Sequence, residues 1–328
     1  MAVKFRKGIE SFLESAGWSG ANVRPLPGDA SFRRYFRVKR FGGSAMLMDA
    51  PPPHEDVITF LRVARWLESN DMRAPKIYAE DTENGFVLLE DFGSSRMRDY
   101  LEEWPDDENE IYRGAVDTLL KLRLLGPGPF LDYNLSEYMR EARLLLDWYC
   151  TSQNLYVDGE GFDLAWREVL SEMVSRQRPG VTVLRDYHAE NIMLLGSLQK
   201  LGLLDFQDAL VGHPAYDLVS LLQDARRDVS PELEAEMFDY YLEASGDEPD
   251  QFFADYARLG AQRNTKIVGI FVRLWRRDGK ARYLDLIPRV WGLLERDIAH
   301  PALEPVSRWF DANIPQELRD AGGGAFET

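Results

Sequence analysis

The sequence of 328 residues has a single cysteine, Cys150, and only four histidines. One cysteine excludes an intramolecular disulfide and argues against a metal site built from thiolates. No run of about 20 apolar residues occurs, so we expect no membrane-spanning segment. The opening MAVKFRKGIE is basic but lacks the apolar core of a secretory signal, and we therefore expect a cytoplasmic protein.

Positive charge is also in short supply, since 39 Lys and Arg residues stand against 55 Asp and Glu residues, a net charge of −16. A nucleic-acid backbone is attracted to a basic surface, so this balance argues against a nucleic-acid partner. It does not exclude a small anionic ligand, because local arginines override the global field. With 45% hydrophobic and 29% charged residues, the composition is that of a globular protein of about two domains.

The pattern of apolar residues changes near residue 93. Before it we predict an opening helix, strands at SFRRYFRV and AMLMDA, a helix over 55–69, and a hairpin turning at Asn84-Gly85. After it amphipathic helices dominate, over about 97–104, 108–125, 136–151 and 162–178, and again from about 215. The sequence therefore predicts an α+β fold, with a small β-rich lobe at 1–93 and a larger, mainly helical lobe at 94–328.

Polar side chains interrupt two apolar strands of the second lobe. Asp186 and Asn191 lie in LRDYHAENIMLL, and Asp205 ends the strand LGLLD. A hairpin turn at GSLQK would pair the strands IMLL and LGLL and bring Asn191 and Asp205 together. Mg²⁺ prefers oxygen ligands and keeps several waters, so one Asn and one Asp with phosphate oxygens suffice to hold it. Phosphoryl transfer from ATP needs such a metal site and a carboxylate at the attacking hydroxyl.

These two motifs resemble the catalytic and metal-binding loops of the aminoglycoside and choline kinase group, which has a bilobal, protein-kinase-like fold. The order of elements agrees over nearly the whole chain, and HPAYDLVSLLQDA resembles the segment that follows the metal aspartate. GDASFRRYFRV, LMDAPPPHED and LEDFG extend the resemblance to the bacterial anomeric sugar kinases of peptidoglycan recycling. Those enzymes phosphorylate the C1 hydroxyl of N-acetylmuramate and N-acetylglucosamine.

The resemblance implies roles for individual residues. Asp186 is implied to be the catalytic base, with Asn191 and Asp205 as ligands of Mg²⁺. The nucleotide ATP is expected to contact two segments, through Ser31, Phe32, Arg33 and Arg34, and through the main chain of Glu90 and Phe92. Residues near these loops are candidates for contacting the sugar: His188, Gln207, Asp208, Asp224 and Arg263.

Several positions also have a structural interpretation. His188 either touches the substrate or supports Asp186. Asp217, at the start of a helix, suits a cap or a salt bridge to the catalytic loop. The QRNTK stretch that contains Arg263 is typical of a charged, solvated helix face. An arginine there would also bind a carboxylate, such as the lactyl group of N-acetylmuramate, through two parallel hydrogen bonds.

Two departures from the wider kinase pattern stand out. Leu184 replaces the usual first histidine of the catalytic loop, a packing difference that leaves Asp186 in place. The strand that carries a phosphate-binding lysine in kinases reads AMLMDAP, without a basic residue. The anomeric kinases share MDAPP, so we interpret this absence as a trait of that subfamily. The nearest candidate cations are Arg33, Arg34, Arg37 and Lys39.

The expected function is an ATP- and Mg²⁺-dependent amino-sugar kinase that acts as a monomer. A kinase of another small hydroxyl substrate stays open, with an aminoglycoside, choline or homoserine as acceptor. A nucleotide-binding pseudokinase scaffold is the alternative outside enzymes, and the missing strand lysine motivates it.

Overall fold

The computed structural model describes residues 5–27 and 32–326. Its contacts group the chain into two compact units, one of residues 1–111 with 190–209 and one of residues 112–189 with 210–328. The predicted division at residue 93 stays a prediction, because this grouping places its boundary inside helix α4 (Glu108–Leu125) and returns 190–209 to the first unit.

The first unit is built on a five-stranded antiparallel sheet in the order β1-β2-β3-β5-β4. Its strands are β1 (Asn22–Pro25), β2 (Arg34–Arg40), β3 (Gly43–Asp49), β4 (Ile77–Asp81) and β5 (Phe86–Glu90). The predicted strands and the hairpin turn are confirmed. At that turn Gly85 has φ +70°, and a Cβ there would lie 1.9 Å from the carbonyl oxygen of Ala50, so only glycine fits.

The described part of this unit also contains three complete α-helices: α1 (Ile9–Ser15), α2 (Val57–Ser69) and α3 (Met97–Glu103). Helix α2 begins after three prolines because Asp56 caps it, accepting hydrogen bonds from the backbone N–H groups of Ile58 and Thr59. Helix α1 packs its apolar side into the core of the sheet, which consists of Ile9, Phe12, Leu13, Trp18, Phe36, Val38, Ala45, Leu47, Phe86 and Leu88.

A hairpin from the later sequence also belongs to the first unit. Strands β7 (Ile192–Leu194) and β8 (Leu201–Leu203) pair antiparallel, as the GSLQK turn predicts. The backbone N–H of Leu203 donates to the carbonyl of Arg73 at 2.8 Å, which ties the hairpin to the unit.

The second unit is mainly helical. After α4 come α5 (Leu135–Ala142), α6 (Gly159–Arg176), α7 (Ala215–Leu222), α8 (Pro231–Ser245), α9 (Pro249–Asp278), α10 (Ile287–Ile298), α11 (Glu304–Asn313) and α12 (Gln316–Asp320). Two short strands, β6 (Val181–Val183) and β9 (Leu210–Gly212), pair antiparallel. The helix predicted over 136–151 is divided, since α5 ends at Ala142 and a π-helical turn follows at Leu145–Cys150. Among the described helices, none is long and apolar enough to cross a membrane.

Helix α9 runs through the interior of the second unit and packs against α5, α7 and α10. The expectation that QRNTK forms a solvated face is wrong, because residues 262–266 of α9 are between 0% and 9% exposed. Their polar groups bond within the unit instead, as when Gln262 Nε2 donates to the Tyr138 carbonyl at 2.9 Å. Gly269 allows this close packing, since a Cβ there would lie 2.3 Å from the backbone of Leu144.

Candidate active site

In the first unit, Asn191 and Asp205 lie at the same end of the β7–β8 hairpin. Because Ile192 pairs with Leu203, Asn191 lies opposite Leu204, whose N–H donates to the Asn191 carbonyl at 2.9 Å. Asp205 follows with φ +55°, a left-handed conformation that is uncommon outside glycine. Its side chain is 45% exposed, so the carboxylate is presented to a ligand rather than to the core.

Neighbouring side chains hold the Asp205 carboxylate in place. Phe206 is fully buried and stacks on Phe60 of α2, with ring centroids 5.2 Å apart. Gln207, only 7% exposed, donates from Nε2 to Asp205 Oδ1 at 3.0 Å and to Asp208 Oδ2 at 3.4 Å. Gln207 therefore binds the metal-loop carboxylate, while Asp208 is exposed; a contact of either with the sugar stays a prediction.

The donor set at this hairpin end fits Mg²⁺. Asn191 and Asp205 offer oxygen atoms, and Mg²⁺ accepts one or two protein oxygens together with waters and phosphates. Within the described residues, no group of three or more His, Cys, Asp and Glu side chains is placed to hold a metal ion.

The predicted nucleotide-binding residues before β2 have different surroundings. Ser31 lies outside the described residues. Phe32 is 65% exposed and stacks on His54, with ring centroids 5.1 Å apart. Arg34 binds Asp49 of β3, with Nη2 and Oδ2 2.5 Å apart, and so it anchors two strands. Of the described residues in this set, Arg33 reaches Asp205, with Nη2 and Oδ1 3.8 Å apart.

Glu90 and Phe92, expected to bind the nucleotide through their main chain, are held by Arg73. The Arg73 guanidinium hydrogen-bonds the Glu90 carboxylate, with Nη1 and Oε2 2.8 Å apart, and this bond lowers the pKa of Glu90. The same guanidinium covers the Phe92 ring at 4.6 Å, and that ring packs on Gly202 of β8, where a Cβ would lie 2.6 Å from it. Both side chains are thus engaged within the unit, which leaves the expected main-chain role as a prediction.

In the second unit, Asp217 fixes the backbone just before Asp186. Asp217 lies in the first turn of α7 and accepts hydrogen bonds from the backbone N–H groups of Leu184 (2.6 Å) and Arg185 (2.8 Å). Arg185 has φ +73°, so the chain turns sharply there and needs this support. Asp217 therefore has a structural role at the Asp186 loop, as expected, but through backbone hydrogen bonds and not through a salt bridge. Burial raises the pKa of Asp217 to about 7.

Positive charges surround the Asp186 carboxylate. Burial alone would raise its pKa, but the pKa lies below its ordinary value because the positive charges of Lys266, Arg263 and Arg185 favour the ionised form. Of these charges, that of Lys266 lowers the pKa of Asp186 the most. Asp186 is therefore ionised at neutral pH and ready to accept a hydrogen bond from a hydroxyl group.

Two of those cations are held by Glu141, a residue that sequence reasoning did not find. Glu141 is 3% exposed and lies 3.1 Å from Lys266, measured from Oε2 to Nζ. Arg185 also pairs with it, and Tyr133 donates a hydrogen bond to it from its hydroxyl. The one sequence signal was a glutamate among the apolar positions of α5, beside Tyr138 and Ala142.

His188, two residues after Asp186, is buried and is neutral at pH 7. It is 4% exposed, and its Nε2 lies 3.2 Å from Arg226 Nη1. Burial, followed by the charge of Arg226, lowers its pKa to about 4. Because the arginine donates, Nε2 accepts and the ring proton resides on Nδ1. This placement favours support of the loop, and contact with the substrate stays a prediction.

Asp224 and Arg263, two further candidates for the sugar, are buried behind the same loop. Asp224 is 2% exposed and accepts from the backbone N–H groups of Ala189 (3.1 Å) and Arg226 (2.8 Å). Arg263 is 3% exposed and donates from Nη2 to Ser220 Oγ at 2.8 Å. Asp224 therefore supports the loop that contains Asp186, whereas Arg263 binds α7, and the contact of either with a sugar stays a prediction.

Comparisons with known proteins agree with this picture. A model of the phosphotransferase enzyme family matches residues 22–260. The N-acetylmuramate/N-acetylglucosamine kinase of Pseudomonas aeruginosa is 38% identical over 323 residues, 94% of each chain. The protein of the same name from Caulobacter vibrioides is 34% identical over 352 residues, 94% of this chain and 96% of that one.

Solved structures show the same fold at low identity. An ADP-bound aminoglycoside phosphotransferase has a TM-score of 0.60 and 16% identity, and covers 88% of this chain and 97% of its own. A choline/ethanolamine kinase family protein from Mesorhizobium loti has a TM-score of 0.61 and 15% identity, and covers 91% and 95%. The predicted α+β, protein-kinase-like fold is confirmed. The chain belongs to the phosphotransferase enzyme family.

Proposed function

We propose that the protein is an ATP- and Mg²⁺-dependent kinase that phosphorylates the C1 hydroxyl of N-acetylmuramate, N-acetylglucosamine or both. The observation that carries the proposal is the Asp186 carboxylate, which follows a backbone turn held by Asp217 and which Lys266, Arg263 and Arg185 keep ionised. Four relatives, between 32% and 38% identical, carry the name N-acetylmuramate/N-acetylglucosamine kinase and support the choice of sugar. Their kinase activity implies ATP as the phosphoryl donor.

Asp186 is proposed to orient the C1 hydroxyl and to take its proton. The hydroxyl oxygen attacks the γ-phosphorus of ATP, the bond from that phosphorus to the β–γ bridging oxygen breaks, and ADP leaves. An anomeric hydroxyl is more acidic than an ordinary sugar alcohol, so a carboxylate with a lowered pKa is a sufficient base. A general base contributes about 10²- to 10⁴-fold to such a rate.

Asn191 and Asp205 are proposed to hold Mg²⁺, which when bound neutralises charge on the β- and γ-phosphates. Gln207 assists by fixing one oxygen of Asp205, since its Nε2 donates to Oδ1 at 3.0 Å. Asp217 assists separately, because it holds the backbone of the Asp186 loop.

The sugar-contacting set stays a proposal on chemical grounds. N-acetylmuramate carries a lactyl carboxylate, which a guanidinium such as that of Arg263 would attract. The burial of Arg263 favours action through its charge over direct contact. His188, Gln207, Asp208 and Asp224 complete the set of candidates.

A substrate panel tests the proposal. The purified protein is assayed with ATP and Mg²⁺ against N-acetylmuramate, N-acetylglucosamine, an aminoglycoside, choline and homoserine, and the product is heated in mild acid. We expect turnover with the amino sugars and an acid-labile product, because anomeric phosphates hydrolyse readily in acid. An acid-stable product, or turnover with another acceptor alone, would refute the choice of C1 hydroxyl. No acceptor-dependent ATP consumption at all would favour the pseudokinase scaffold.

Two variants test the assigned residues. Asp186→Asn is expected to lower kcat about 10²- to 10⁴-fold. Its circular dichroism spectrum is expected to match that of the wild type, which shows that the fold is unchanged. Asp205→Ala is expected to abolish turnover while the melting temperature stays near the wild-type value, since its carboxylate is half-exposed. A near-normal kcat of the folded Asp205→Ala protein would refute the assignment of Asp205 as a ligand of Mg²⁺.

A further inference from the structure

Strand β3, Gly43–Asp49, carries no lysine or arginine. In kinases a lysine on such a strand contacts the nucleotide phosphates and pairs with a glutamate from a neighbouring helix. A chain that transfers phosphate without this lysine needs another cation near the metal aspartate. The structure of the first unit provides one from the segment that precedes β2.

Three of the four candidate cations, Arg34, Arg37 and Lys39, lie away from Asp205. Arg34 binds Asp49 of β3, with Nη2 and Oδ2 2.5 Å apart. Arg37 binds Asp91, with Nε and Oδ2 2.9 Å apart, and also donates to the Gly93 carbonyl. Lys39 is exposed near the far end of β2. The contacts of Arg34 and Arg37 fix the sheet and the segment after β5, and Lys39 lies toward the opposite end of β2 from Arg33.

Arg33 is the fourth candidate, and it lies between two carboxylates. Its Nη2 is 3.8 Å from Asp205 Oδ1, and its Nε is 3.2 Å from Glu55 Oε2. Its side chain is only 12% exposed, so its orientation is set by packing and not by solvent. The guanidinium is a planar fork, which allows one edge to stay on a carboxylate while the other meets a second anion.

Glu55 holds this arrangement in place. One oxygen, Oε2, meets Arg33, and the other, Oε1, accepts a hydrogen bond from the backbone N–H of Phe32 at 3.0 Å. Glu55 directly precedes Asp56, the residue that caps α2. A rigid helix start therefore fixes both the backbone and the side chain that approach Asp205, as the helix glutamate of a kinase fixes its lysine.

We propose that Arg33, held by Glu55, replaces the absent strand lysine and binds phosphate oxygens of the nucleotide beside Asp205. This inference rests on the proposed function, since it takes ATP as the ligand at Asp205. Arg33 keeps its Nε edge on Glu55 and offers its Nη edge to the phosphates. Arginine is needed in preference to lysine, because an ammonium group cannot serve both partners in one fixed plane.

The test measures nucleotide affinity without metal. Isothermal titration calorimetry in EDTA gives the dissociation constants of ATP, ADP and adenosine for the wild type, Arg33→Ala, Arg33→Lys and Glu55→Gln. We expect Arg33→Ala to raise the dissociation constants of ATP and ADP about 10- to 100-fold, because hydrogen bonds to a charged group are lost. The dissociation constant of adenosine is expected to stay unchanged. Arg33→Lys and Glu55→Gln are expected to raise the dissociation constant of ATP by a smaller factor.

Arg65→Ala is the matched control, since Arg65 of α2 forms an exposed ion pair with Glu80 in the same unit. It is expected to bind all three ligands as the wild type does. Equal losses for ATP and adenosine in Arg33→Ala would overturn the inference, because they would indicate a structural role. So would unchanged ATP affinity. A wild type that binds ATP neither in EDTA nor with Mg²⁺ would instead refute the proposed function, and if it binds ATP only with Mg²⁺ the same comparison of variants is made with Mg²⁺ present. If Arg33→Ala does not fold, Glu55→Gln decides by the same comparison of ATP with adenosine.

Discussion

Replacing Asp217 by asparagine tests which of two opposing effects controls the pKa of this buried carboxylate, which holds the backbone just before Asp186. Burial favours the neutral acid, whereas the backbone N–H groups of Leu184 and Arg185, at 2.6 and 2.8 Å, favour the anion. Burial is the larger effect and raises the pKa of Asp217 to about 7 from its ordinary value of 3.8. The side chain is 2% exposed, so solvent screens little of this.

The sign of the resulting pH dependence follows from linkage. With its folded pKa raised, Asp217 is protonated in the folded protein and ionised in the unfolded chain between pH 3.8 and about 7. The unfolded state therefore binds fewer protons there, and the free energy of unfolding falls as the pH rises through that window. Each pH unit costs at most about 1.4 kcal/mol, and the cost fades as Asp217 ionises in the folded protein near pH 7, so between pH 5 and pH 7 the wild type loses about 2 kcal/mol relative to Asp217→Asn.

Urea unfolding, followed by tryptophan fluorescence at pH 5, 6, 7 and 8, measures that difference. The matched control is Asp239→Asn, which removes an exposed carboxylate of α8 and reports the effect of net charge alone. Parallel stability curves for the wild type and Asp217→Asn would refute the reasoning. They would mean that the two N–H donors cancel the cost of burial and that Asp217 stays ionised throughout.

Other predictions follow from single contacts. Lys266→Met removes the largest charge that lowers the pKa of Asp186, so the acidic limb of the pH profile of kcat is expected to move to higher pH; an unmoved limb would contradict this. Gly269→Ala places a Cβ 2.3 Å from the backbone of Leu144, and overpacking is expected to destabilise the fold by about 1–3 kcal/mol, seen as a lower melting temperature. Cys150 is 1% exposed and burial raises its pKa to about 12, so Ellman's reagent is expected to react only after unfolding; fast reaction with native protein would disprove its burial.

Local signals made much of the fold predictable. Three prolines end β3, Asn84-Gly85 marks a turn, and GSLQK separates two strands of matching length, so each element could be predicted from neighbours in the sequence. Strands β1 and β9 could not. β1 is mostly exposed and shows no alternation, and β9 has only three residues, so neither carries a pattern that differs from a loop.

Burial of helix α9 needed tertiary information. An amphipathic pattern indicates which side of a helix is apolar, but not that a helix is surrounded on every side. The QRNTK stretch is polar because its partners are polar: Asn264, for example, donates to Gln223 Oε1 at 2.8 Å and to Asp297 Oδ2 at 3.1 Å. Such pairings join positions far apart in the sequence, and composition alone favours the wrong, solvated interpretation.

The same limit explains the division within the candidate site. Asp186, Asn191 and Asp205 could be named as candidates because their spacing on a strand, a loop and a hairpin is itself the motif, and their roles stay predictions. Glu55 and Glu141 were not, because each acts through a cation from another part of its unit. A carboxylate that orients a cation leaves no spacing signal, since folding alone sets the distance between the two.

The acidic composition, finally, bears differently on large and small anions. At physiological ionic strength, exposed charges more than about 8 Å apart are largely screened from each other. A long nucleic acid would meet the averaged surface of a chain with net charge −16. A nucleotide at Asp205 would meet Arg33 at short range, 3.8 Å from that carboxylate and mostly shielded from water. The shortage of positive charge therefore argues against a polyanionic partner but not against the binding of a single triphosphate. Cations buried near carboxylates, such as Arg33, are consequently the residues to mutate first.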